Sequence, residues 1–156
     1  MATEQKEVTG VLNDLIETCK DGEQGFRQAA EKVNDGSLKT LFSRYSSQRA
    51  EYVRELQTLV SQLGGEAAST GHAGAMLHRG WINLKEALSK NEDKAIIDEC
   101  EAGEDAAVKA YREARGKALP SQIAAVVEKQ AVGVEEAHRT LRDLKHGRSA
   151  MAGSRI

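Results

Sequence analysis

Proline is nearly missing from this chain, with one in 156 residues, and aromatics are scarce at one Trp, three Tyr and two Phe. Together with abundant Ala, Glu, Lys, Leu and Gln, that scarcity points away from strands and toward an all-helical protein. Only two cysteines occur, Cys19 and Cys100, without the spacing of a zinc or redox motif, so they are expected to be buried reduced thiols. No apolar run approaches the roughly 18 residues of a membrane span, and the opening MATEQKEVTG has no signal-type apolar core. A cytoplasmic protein without a membrane partner is the expectation. Neither charge sign dominates, with Lys plus Arg at 22, Asp plus Glu at 24 and a net charge of −2. This gives no basic face for nucleic acid. A nucleophile elbow and a glycine-rich phosphate loop are also missing, which leaves hydrolase and nucleotide-binding readings without support.

What the chain has instead is helical period. Val8, Leu12, Leu15, Cys19, Gly22, Phe26, Ala29 and Val33 recur at steps of three and four and mark one buried stripe. Similar stripes predict helices over about 4–33, 38–63, 75–90, 93–115 and 120–146. Asn34-Asp35-Gly36 reads as a helix stop with a left-handed cap, and Ser37 as the cap of the next helix. Pro120 falls in the first turn of the last helix. The third of the five segments, 75–90, carries Met76, Leu77, Trp81, Leu84 and Leu88. It sits inside a long connection from Glu66 to Asn91, with Trp81 as its anchor on the rest of the protein.

Two helical hairpins joined by such a connection make a four-helix bundle with a crossover. A connection of this length can run along helices about 40 Å long, which favours up-down-down-up topology. Residues 1–147 are read as a single domain and 148–156 as a flexible tail.

Each long stripe is interrupted near its middle by a polar side chain. Successive steps of about 100° place Glu104, Arg49 and Gln130 near the centres of their stripes and Glu23 and His138 on the flanks, whereas Glu17, Glu51 and Glu135 point away. Glu23 stands as far before Gly36 as Arg49 stands after it, so the two are level. Glu104 and Gln130 lie within about one turn of level around Leu119. A polar layer of Glu23, Arg49, Tyr52, Glu104 and Gln130 is therefore expected across the bundle, fed by the hydroxyls of Tyr45, Tyr52 and Tyr111. A buried arginine without a partner costs several kcal/mol, so Arg49 must bond an acid, Glu104 or Glu23. Gly22 and Gly103, each beside an acid, are read as sites of close helix approach. His72, His78 and His146 have no ligand-type residue four positions on and are expected to be exposed.

The stretches Leu15-Ile-Glu-Thr-Cys-Lys-Asp-Gly-Glu23, Leu77-His-Arg-Gly-Trp81, Glu99-Cys-Glu-Ala-Gly-Glu-Asp105 and Glu136-Ala-His138 resemble a bacterial ferritin-like family of unknown function, over about residues 5–145. The resemblance implies a small cytoplasmic helical bundle and supplies no activity. Ferritin-like di-iron sites take Glu from two helices and Glu-x-x-His from the other two. Here the corresponding pair on the second helix is Arg49-x-x-Tyr52, and a permanent cation is a poor neighbour for a divalent metal. Glu135-x-x-His138 has the right spacing, but its Glu135 lies about 120° from the core centre.

Three functions follow as expectations. The first is a non-enzymatic, homodimeric bundle needing no cofactor, a stress-associated or interaction module in which Arg49 takes the place of a metal. The second is an iron- or manganese-binding oxidase or storage protein using Glu23, Glu101, Glu104 and His138. The third is an adaptor that docks a partner through Met76, Leu77 and Trp81.

Overall fold

The computed structural model describes residues 2–67 and 80–147. Its helices are α1 (Ala2–Lys32), α2 (Gly36–Gln62), α3 (Leu84–Ser89), α4 (Asp93–Arg115) and α5 (Ser121–Lys145). Among the described residues there is no strand. The four long helices form an all-α bundle. Ser46 Oγ donates to the Glu23 carbonyl between α1 and α2, Cys19 meets Tyr111 between α1 and α4, and Gln130 donates to the Tyr52 carbonyl between α5 and α2. The short turn at 33–35 makes α1 antiparallel to α2; Asn34 meeting Asp93 while Cys19 meets Tyr111 makes α1 antiparallel to α4, and Tyr45 meeting Thr140 while Tyr52 meets Gln130 makes α5 antiparallel to α2. The topology is up-down-down-up, with the end of α2 and the start of α4 at opposite ends of the bundle.

The apolar stripes fill two clusters. One gathers Leu12, Leu15, Ile16, Leu56, Val60, Val127 and Val134, and the other gathers Phe26, Phe42, Tyr45, Trp81, Ile96 and Leu141. Each such fully buried side chain contributes about 1.5–3 kcal/mol relative to an exposed one.

Several local signals resolve differently from the expectation. Asp35, not Ser37, caps α2, accepting from the backbone N–H of Ser37 and Leu38. Gly36 begins α2 and takes no left-handed conformation, which falls instead to Gly64, Gly80, Gly147 and Asn91. Pro120 is the cap before α5, just outside its first turn. Asp93 at the start of α4 reaches across to the α1–α2 turn, where its two oxygens accept from the N–H of Asn34 at 2.7 Å and of Asp35 at 3.0 Å. A carboxylate there also suits the positive end of the α4 dipole.

Of the predicted helix 75–90, residues 75–79 lie outside the described residues, and the rest is helical over Leu84–Ser89. Gly80 has φ +95°, and a Cβ there would lie 2.7 Å from the Ala102 carbonyl oxygen, so the chain turns sharply and the helix starts only at Leu84. The turn delivers Trp81, 3% exposed, into a slot between α1 and α4. Gly25 and Gly103 form the slot walls. A Cβ on either would come within 2.5 and 2.1 Å of the indole. Phe26 closes the slot edge-on, with ring centroids 5.1 Å apart. Glu99 then fixes the crossover to α4 by accepting from the Asn83 N–H at 2.8 Å. Burial raises the Glu99 pKa, and that hydrogen bond partly offsets the rise.

Candidate functional site

The site is built from the stripe positions where apolar residues give way to polar ones. Arg49 on α2 and Glu104 on α4 are 1% and 0% exposed and meet across the diagonal of the bundle. Both guanidinium ends engage both carboxylate oxygens, Nη1 to Oε1 at 2.7 Å and Nη2 to Oε2. Arg49 Nε donates to Gln48 Oε1 at 3.1 Å. Its stem crosses α1 at Gly22, where a Cβ would stand 3.3 Å from Nη1, and its guanidinium carbon lies 5.5 Å from the Phe26 ring centre. Burial alone would lower the Arg49 pKa, but the Glu104 carboxylate outweighs it and holds the guanidinium above its ordinary value. Arg49 therefore stays a cation.

Beside this pair a hydrogen-bond chain visits all four long helices. Tyr111 on α4 donates to Gln130 Oε1 on α5 at 2.7 Å, and Gln130 Nε2 donates to Glu55 Oε1 on α2 at 2.8 Å. Because a carboxylate only accepts, the amide orientation of Gln130 is fixed, and Tyr111 must give its proton to Oε1. The Tyr111 oxygen is then free to accept from the Cys19 thiol of α1, 3.0 Å away. That assignment requires Cys19 to keep its proton. Burial raises its pKa to about 11, against the opposing pull of Arg49. Burial likewise lifts Tyr111 well above the ordinary tyrosine range, and Cys100 well above that of a thiol.

Of the expected layer, Arg49 and Glu104 bond each other, and Gln130 is buried in the neighbouring hydrogen-bond chain through Tyr111. Tyr52 contributes its backbone carbonyl, while its hydroxyl rests over Gly133. Glu23 does not bond Arg49: it is half-buried, and it is its main-chain carbonyl that joins α2, through Ser46. Level height was the right inference for Glu23, but its flank position turns the carboxylate aside from the guanidinium. Cys19 and Glu55 belong to the network and were not expected there. Cys19 stands on the buried stripe one turn before Glu23, and Glu55 one turn after Tyr52.

The expected metal set divides. Glu104 has both oxygens committed to Arg49, and Glu23 stands apart. Glu101 and His138 do come together, with Oε2 and Nε2 3.0 Å apart, on the outer flank of the α4–α5 hairpin. Asp105 joins them, its Oδ1 3.6 Å from the same nitrogen. Lys145 approaches Glu101 at 3.3 Å and Lys109 approaches Asp105 at 3.3 Å. Glu135 points outward to Arg115, as its stripe position implied. His146 is exposed, as expected. Of the expected docking residues, Trp81 faces the core, and Met76 and Leu77 lie outside the described residues, as do His72, His78 and the 148–156 tail.

No helix among the described residues is long and apolar enough to cross a membrane. A comparison with curated proteins finds no match. Residues 7–117, from the first turns of α1 to just past α4, match the model of a domain of unknown function, DUF2383. The match takes in Cys19, Arg49, Glu55, Glu104 and Tyr111 and leaves out Gln130 and His138 on α5. With most of its length matched, the chain belongs to the DUF2383 family.

Proposed function

We propose that this protein is a non-catalytic bundle of the ferritin-like type, homodimeric and cytoplasmic, serving as a stress-associated interaction module whose centre is closed by an arginine–carboxylate pair where related architectures hold metal. The observation that carries this reading is the two-point bond between Arg49 and Glu104. A carboxylate with both oxygens bonded to a guanidinium has one lone pair of each already engaged, and the fixed positive charge beside it repels a divalent ion. A closed, satisfied layer also lacks the mobile, accessible acid or base that catalysis requires.

The test is titration with Fe²⁺ and Mn²⁺ of the untagged protein and of the paired variant Arg49→Leu with Glu104→Leu, with folding followed by circular dichroism. Binding of either ion is expected to be the same in both proteins. Stoichiometric iron or manganese that disappears with the pair, in a variant that remains folded, would replace this reading with a metal-carboxylate centre.

A further inference from the structure

We propose that Glu101, Asp105 and His138 form a binding site for one divalent transition-metal ion of the zinc type on the flank of the α4–α5 hairpin, separate from the closed central layer. Glu101 and Asp105 are four residues apart on α4, so their carboxylates stack on one face. His138 of the antiparallel α5 points its Nε2 at both. One ligand atom from each of the three lies within 4.8 Å of the other two. The imidazole nitrogen is 3.0 Å from Glu101 Oε2 and 3.6 Å from Asp105 Oδ1. Adjacent donors around an ion at about 2.1 Å are separated by roughly 3.0–3.4 Å in octahedral or tetrahedral geometry, so the imidazole nitrogen stands close to ligand spacing from both carboxylates.

Burial favours a preformed site. Glu101 and His138 are each 16% exposed, and Asp105, at 47%, leaves the open side through which an ion enters and where water completes the coordination. The flank is also rich in negative charge. Asp98, three residues before Glu101 on the same side of α4, has a buried Oδ1 with no hydrogen-bond partner among the described residues. Lys145 and Lys109 answer part of this charge, but they are 41% and 70% exposed and can swing into water when an ion arrives. One imidazole with two carboxylates selects zinc-like ions over magnesium, which binds through oxygen and keeps its waters.

The experiment uses the full untagged chain, freed of metal with EDTA and titrated with Zn²⁺ and with Mg²⁺ by calorimetry. One equivalent of Zn²⁺ is expected to bind, and to raise the thermal midpoint because the ion bridges two helices only in the folded state. His138→Ala and Asp105→Asn are each expected to weaken binding about tenfold or more. Lys145→Met is expected to tighten it by removing the competing cation. Absence of saturable Zn²⁺ binding, Mg²⁺ binding as strong as Zn²⁺, or Zn²⁺ affinity unchanged by His138→Ala would each overturn the proposal. The central layer is tested separately, because its paired variant leaves these three residues in place.

Discussion

Arg49 and Glu104 meet across the diagonal of the bundle, on helices α2 and α4 whose backbones are not neighbours, and both are shut away from water. Neither could be buried alone. An isolated ion in such a place costs several kcal/mol even after relaxation, whereas the bonded pair roughly offsets its own desolvation. The contact thus ties two non-adjacent helices at one height.

Single and paired removal should therefore differ sharply. Arg49→Leu and Glu104→Leu are each expected to lose about 3–5 kcal/mol in urea unfolding, because each strands the other charge. The double variant should recover most of that loss and come close to the parent. A double variant as unstable as the sum of the singles would mean that the pair contributes large net stability.

The Trp81 slot makes a second expectation. Gly103→Ala improves helix propensity by up to about 1 kcal/mol, but its methyl must enter the space of an indole already held by Gly25 on the far wall. Overpacking should win, with a net loss of about 1–3 kcal/mol. Trp81 is the chain's sole tryptophan, so its emission reports the slot directly: blue-shifted in the parent and shifted to the red in the variant. Unchanged emission and unchanged stability would show that the slot is loose.

The thiol of Cys19 predicts the alkaline behaviour. Its folded pKa, about 11, lies above the ordinary 9.0, so the unfolded thiol ionises first. Its contribution to stability is complete below about pH 9 and is lost as pH rises toward 11, at roughly 1.4 kcal/mol per unit. Tyr111 and Cys100 shift in the same direction and steepen the decline. Unfolding followed between pH 8 and 11 should show a smaller loss in Cys19→Ala than in the parent. Thiol-reactive dye should label neither cysteine of the folded protein at pH 8 and both in denaturant. Rapid labelling of the folded protein would contradict the buried hydrogen bond to Tyr111.

Much of this was legible in the sequence, and the limits have physical causes. The long helices follow from apolar residues at steps of three and four, and an acid partner for Arg49, either Glu104 or Glu23, follows from the rule that a charge in such a stripe needs one. Glu23 misled because counting residues from a turn fixes height, while the direction of a side chain on the stripe's edge depends on how the helix is rotated in the bundle. A helix through Gly80 is the expectation because Met76, Leu77, Trp81, Leu84 and Leu88 keep helical spacing across it, and the positive φ of Gly80, close to the Ala102 carbonyl of another helix, is what breaks that spacing before Leu84. Asp105 escaped although it stands four residues from Glu101, because the turns of α4 and α5 had to be placed side by side before it met His138. The reach of Asp93 to the α1–α2 turn, and of Glu99 to Asn83, joins segments that nothing local connects.

The central claim is that a guanidinium fills the place of a metal, and the most direct measurement is anomalous diffraction at the iron and manganese edges from crystals of the full chain grown with those ions. The expected map shows no anomalous peak between Arg49 and Glu104 and an intact two-point bond between them. An ion seated on Glu104, with Arg49 displaced from its carboxylate, would contradict the claim.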